Sequence, residues 1–128
     1  MIKKILLIDD NDLDNFVSRA TIQQAKYCDD IKDFLYAEDA LNYLAHLESS
    51  FTQIPDLIFL DVSMPVMDGF AFLEKFERLP HSVIEKTKIV MLSSSINESD
   101  ILRANKNPYV YKYLNKPLTP KKLEELDV

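Results

Sequence analysis

Three aspartates, a serine and a lysine stand where apolar runs of this chain end. Asp9-Asp10 follow Ile5-Leu6-Leu7-Ile8, Asp61 follows Leu57-Ile58-Phe59-Leu60, Ser93 closes the run Lys88 to Leu92, and Lys116 lies just past Tyr109 to Leu114. Singly, an aspartate after a strand is a turn or helix-cap residue. Together, carboxylates, a hydroxyl and an ammonium at corresponding strand ends suit a different chemistry. Clustered carboxylates repel one another and require a cation. Hard oxygen donors with room for water suit Mg²⁺ better than Zn²⁺, and no set of His or Cys residues offers another metal site.

Those residues meet only if the elements carrying them run parallel. Ile2 to Ile8 reads as a buried strand, and Leu13, Phe16, Val17 and Ala20 beyond it follow helical spacing. Ile31 to Tyr36 is a weaker strand. The helix after it has Glu38-Asp39 at its start and Leu41, Leu44 and Leu47 on one stripe. Leu57 to Leu60 is a continuous apolar run of the kind found in a central strand covered on both faces. After the bracketing Pro65 and Gly69, Asp68 is placed to cap a helix that buries Leu73, Phe76 and Leu79 and ends at Pro80. Asn97 or Ser99 opens a fourth helix running through Ala104. Thr119-Pro120 opens a fifth, with Leu123 and Leu126. The order is strand then helix, five times, which predicts a parallel α/β sheet between helix layers with right-handed crossovers. Ligands of such sheets bind beyond the carboxyl ends of the strands, where the five polar groups lie.

Length and composition set the outer bounds. A chain of 128 residues is expected to form one compact domain over 1–128, with no output domain. Its formal charge of -6 disfavours nucleic acid and anionic membranes, both of which select for clustered Lys and Arg. The longest apolar runs are strand-sized, too short to span a membrane, and Asp9 and Asp10 interrupt any signal-peptide core. Cys28 is the single cysteine, so nothing requires an oxidising compartment and a cytoplasmic location is expected. Gly69 is the single glycine, which excludes Gly-rich phosphate cradles.

Four fragments, in order, resemble the receiver domains of bacterial two-component response regulators, of the single-domain kind similar to the chemotaxis response regulator. They are Leu6-Leu7-Ile8-Asp9-Asp10; Leu60-Asp61-Val62-Ser63-Met64-Pro65 with Met67-Asp68-Gly69; Met91-Leu92-Ser93; and Tyr113-Leu114-Asn115-Lys116-Pro117. The resemblance runs from Ile2 to Leu126. It implies a flavodoxin-like (βα)5 three-layer sandwich with strand order 2-1-3-4-5. It implies that Asp61 accepts a phosphoryl group, that Asp10, Asp61 and the Ser63 carbonyl bind Mg²⁺ directly, and that Asp9 acts through a metal-bound water. Lys116 would place a positive charge on a phosphoryl oxygen, across a Lys116-Pro117 bond that is cis in the family. The Ser93 hydroxyl would sense the new group. Tyr113 either turns inward in response or is plain strand packing. Gly69 is expected to relieve crowding at the start of its helix.

The implied function is that of a stand-alone signalling module with no enzymatic activity beyond its own phosphorylation and dephosphorylation. Its donor would be a histidine kinase or histidine phosphotransfer protein, and its output an unknown protein target reading the face of the fourth helix, fifth strand and fifth helix. A monomer is expected, with a dimer left open. Onward transfer to a histidine, as a relay intermediate, stays open beside the effector role. An aspartyl-phosphate phosphatase is disfavoured because Ser63 stands where a second Asp would be needed. A degenerate receiver is disfavoured because no expected position is missing. Asn105-Lys106-Asn107-Pro108 replaces a Gly-containing turn, where Asn is expected to supply a left-handed residue. His46 and His81 are expected on the surface, outside any phosphotransfer role.

Overall fold

Successive residues of a strand point to opposite faces, and here both faces are apolar. The computed structural model describes residues 2–47, 53–95 and 97–128, so the expected loop from Ser49 to Pro55 lies partly outside the described residues. The described strands are β1 (Lys4–Ile8), β2 (Asp30–Phe34), β3 (Leu57–Asp61), β4 (Lys88–Ser93) and β5 (Val110–Asn115). They form one parallel sheet of order β2-β1-β3-β4-β5. The helices are α1 (Asp12–Gln24), α2 (Ala37–Ala45), α3 (Gly69–Phe76), α4 (His81–Lys86), α5 (Glu98–Asn105) and α6 (Pro120–Glu125).

Leu6, Ile8, Ile58, Leu60, Ile89 and Met91 pack under Leu41 and Leu44 of α2, Phe72 and Phe76 of α3, Val83 of α4 and Ala104 of α5. Their alternates Ile5, Leu7, Leu57, Phe59, Val90 and Leu92 pack under Ile22 of α1 and Leu123 of α6, with Leu118 and Leu126 flanking that helix. These are the three layers expected of a flavodoxin-like fold. Each fully buried side chain contributes about 1.5–3 kcal/mol, so the central strands are anchored from both sides.

The helix expected to end at Pro80 stops at Phe76, with Leu79 only half-buried, and the fold adds to or departs from the sequence reading in three further places. First, α4 is an added helix after Pro80, so the expected fourth and fifth helices are α5 and α6. Second, the apolar stripe of α1 faces outward: Leu13 is 67% and Phe16 66% exposed, while Asn15 and Ile22 are buried. Helical periodicity identifies a face without saying which way it turns. That is decided by the Asn15 amide, which donates to the carbonyl of Asp9 at 3.0 Å and lies 3.4 Å from that of Phe34. Third, the turn at Asn105 to Pro108 uses no left-handed residue. The Asn107 side chain accepts from the Tyr109 amide at 2.9 Å, a side-chain turn that serves in place of glycine.

The other caps fall where expected. Asp68 accepts from the Ala71 amide at 2.8 Å, Asn97 from Asp100 at 3.2 Å and Thr119 from Lys122 at 3.2 Å. A bulge between β4 and β5 pairs Ile89 with Val110 but Val90 with Lys112. Val110 and Tyr113, three residues apart, therefore pack on the same core, while the Tyr111 hydroxyl donates to the carbonyls of Leu126 or Asp127. Both sheet edges are polar: β2 presents Asp30, Lys32 and Asp33, and β5 presents Lys112.

Gly69 is a packing requirement. A Cβ there would lie 2.6 Å from the Asp61 carbonyl oxygen and 2.9 Å from Met91 Cε. Met91 can move, but the backbone of a central strand cannot. Gly69→Ala is expected to lower unfolding free energy in urea by about 2–3 kcal/mol, the usual cost of overpacking. A loss below about 0.5 kcal/mol would show that the loop before α3 yields freely.

Candidate functional site

Parallel strands bring their carboxyl ends to one edge, and the five polar groups read from the sequence meet there. Asp9 follows β1 directly, Asp61 ends the neighbouring β3, Ser93 ends β4, and Lys116 follows β5. The backbone fixes them closely. Asp9 N donates to Phe34 O at 3.1 Å, Val62 N to Leu92 O at 3.0 Å, and Lys116 N to Ser93 O at 2.7 Å. The Lys116-Pro117 bond is cis.

Asp9, Asp10 and Asp61 each offer a carboxylate oxygen, all within 4.8 Å of one another, with Asp9 and Asp61 buried and Asp10 exposed. This donor set fits a hard divalent cation, because it is all oxygen and one side is open to water. The electrostatics already call for positive charge. The Lys116 ammonium sits among the carboxylates, 2.6 Å from Asp9 Oδ2, 2.9 Å from Asp14 Oδ2 and 3.2 Å from Asp61 Oδ1. Ser63 lies two residues past Asp61 in the exposed loop leaving β3.

Burial, and next the charge of Asp9, push the Asp61 carboxyl up to about 6, against the opposing pull of Lys116. For Lys116, burial acts downward, but hydrogen bonds to Asp9 and Asp14 and the charge of Asp61 outweigh it, and the net shift is upward. The ammonium stays charged while one of its carboxylate partners titrates at about 6.

Ser93 is buried, and its hydroxyl is committed to its own loop. It donates to Ser95 O at 2.7 Å and accepts from Ser95 N at 3.2 Å. Tyr113, opposite Met91 in the sheet, packs on the core with a buried hydroxyl that has no hydrogen-bond partner among the described residues. His46 and His81 are exposed on the surface, His81 paired with Glu85 at 2.6 Å. Cys28 is buried.

Three residues escaped the sequence reading. Asn11 caps α1 through the amides of Leu13 and Asp14, Asn15 ties that helix to the ends of β1 and β2, and Asp14 reaches Lys116. The signal was a cap residue followed by acids in the first helical turn, a pattern that macrodipole chemistry explains equally well. Val66, fully exposed at φ 68°, carries no sequence signal at all.

Residues 5–126 match the response regulator receiver domain. A two-component response regulator from Cytophaga hutchinsonii superposes with a TM-score of 0.90 at 30% identity, over 98% of this chain and 93% of that one. Chemotaxis protein CheY4 of Vibrio cholerae superposes with a TM-score of 0.75 at 25% identity, over 98% and 95%. The probable methanogenesis regulatory protein FilR2 of Methanothrix harundinacea is 28% identical over 115 residues, 90% of this chain and 72% of that protein.

The raised affinity of Asp61 for a proton has a direct consequence for stability. Its folded pKa of about 6 lies above the unfolded value of 3.8, so the folded state holds this proton more tightly. That contribution is complete below the unfolded value and is lost as pH rises through about 6. With metal chelated, Asp61→Asn is therefore expected to be more stable than the parent by about 1–3 kcal/mol near pH 8, the gap closing toward pH 4. A gap that stays constant across this range in urea unfolding would refute the burial effect.

Proposed function

The chain belongs to the response regulator receiver domains of two-component systems, and on that premise we propose that Asp61 is its phosphoacceptor, charged from a phosphohistidine on a kinase or phosphotransfer protein. One observation carries the reading: a buried carboxylate shares a single ammonium with one of two further carboxylates placed to hold a divalent cation. Asp9, Asp10 and Asp61, with the Ser63 carbonyl, would hold Mg²⁺. When bound, that ion supplies positive charge against both the attacking carboxylate and the phosphoryl oxygens. An Asp61 oxygen bonds to phosphorus as the phosphorus–nitrogen bond breaks and the imidazole keeps its electron pair. Lys116, already 3.2 Å from Asp61 Oδ1, faces the charge that gathers on the phosphoryl oxygens of a loose transition state.

The response then passes through Ser93 and Tyr113. The Ser93 hydroxyl exchanges its bond to Ser95 O for one to a phosphoryl oxygen, and the loop after β4 follows it. Tyr113 follows, since its buried hydroxyl has no partner among the described residues and such a group costs about 1–3 kcal/mol. The bistable element is the face of α5, β5 and α6, available to a downstream protein.

A protein donor suits the outward stripe of α1. Leu13 and Phe16 flank Asp14, whose carboxylate touches Lys116, so this apolar surface lies beside the acceptor. Incubation with Mg²⁺ and acetyl phosphate is expected to add one phosphoryl group by intact mass, lost on Asp61→Asn and on chelation. Labelling that survives Asp61→Asn would refute the assignment. Phe16→Ala is expected to slow transfer from a phosphohistidine protein about tenfold more than labelling by acetyl phosphate, the loss of ~1.4 kcal/mol of docking. Equal effects on both donors would remove α1 from the docking surface.

A further inference from the structure

Three carboxylates surround the Lys116 ammonium: it donates to Asp9 and Asp14 and pairs electrostatically with Asp61 across 3.2 Å. Two of these, Asp9 and Asp61, belong to the acidic cluster. The third, Asp14, stands outside it, on the first turn of α1. Its place is fixed from two sides: its amide is capped by Asn11 Oδ1 at 3.2 Å, and the helix is tied to the end of β1 by the next residue, Asn15. With two hydrogen bonds committed and a third carboxylate in ion-pair contact, a new anionic oxygen on Asp61 competes for Lys116 with the partners already there.

We propose that Asp14 is a positioning residue that holds the Lys116 ammonium in the resting state and competes for it with a phosphoryl group on Asp61. Of the three partners, Asp14 yields most readily. Its side chain is 38% exposed against 8% for Asp9 and 7% for Asp61, so water replaces its lost bond at least cost. Asp9 has no such compensation, and Asp61 gives up its own carboxylate charge when it takes the group. The exchange also reaches α1, because releasing Asp14 frees the helix turn that carries Leu13 and Phe16 from its tie to the β5–α6 loop. This inference rests on Asp61 being the acceptor.

Beryllofluoride, a non-covalent stand-in for the phosphoryl group, tests it in the Mg²⁺-loaded protein by fluorine NMR titration. Asp14→Asn is expected to tighten its binding about three- to tenfold, the scale of one partly exposed charge-assisted bond. In a Lys116→Met background the same change is expected to shift affinity less than about twofold, since a competitor acts only through what it competes for. An equal gain in both backgrounds, or none in either, would overturn the proposal, because a bare charge effect does not need Lys116. A second measurement needs neither phosphoryl mimic nor metal. In the chelated protein, Asp14→Asn is expected to shift the nitrogen-15 resonance of the Lys116 ammonium and speed its proton exchange with water, and Asp14→Glu to restore both. An unmoved resonance would overturn the positioning role. A parent protein that fails to bind beryllofluoride would instead overturn the acceptor assignment, and the competition with it.

Discussion

Carboxylates buried beside one another at the end of a sheet cannot all stay ionised without a counter-charge, and the rest of this molecule is arranged around that constraint. Asp9 and Asp61 lie on adjacent strands with little solvent to separate them. The ammonium of Lys116, just past the far edge strand, forms ion pairs with both. The result is a site with charge still to be neutralised. Its donor set fits a divalent cation, and burial, with the charge of Asp9 next, raises the proton affinity of Asp61.

Holding such a site together falls to the backbone and to one side-chain amide. The Asn15 amide joins the ends of β1 and β2 to α1, Lys116 N bonds to Ser93 O, and Gly69 lets α3 begin against the carbonyl of Asp61 itself. The resting positions of Ser93 and Tyr113 complete the picture. The Ser93 hydroxyl is held by its own loop, and the buried Tyr113 hydroxyl has no hydrogen-bond partner among the described residues.

Much of this was legible in the sequence. Near-continuous apolar strands ending in polar residues specified the parallel sheet, its order followed from the resemblance, and the strand-end groups meet as expected. What stayed hidden had physical reasons. The rotation of α1 depends on an amide reaching two carbonyls distant in sequence, and Leu13 and Phe16 would have shown the same periodicity facing inward. Asp14 is one of the acids in the first turn of α1, a pattern the helix dipole already explains, so nothing in the sequence pointed its carboxylate toward Lys116. Helix α4 is six residues long, too short for periodicity to announce it. At Asn107, chemistry foresaw the residue but not the device: a side-chain acceptor took the place of a left-handed backbone.

The polar margins of the sheet bear on how copies of this domain can meet. An edge strand offers unpaired amides and carbonyls, a template on which a second chain can add itself and continue without limit. Asp30, Lys32 and Asp33 on β2 put charged side chains along that margin in place of the flat apolar ribbon such growth prefers. Self-assembly by sheet extension is thereby discouraged. Any pairing of copies is left to side-chain surfaces, where recognition is finite, reversible and open to control by a change of charge.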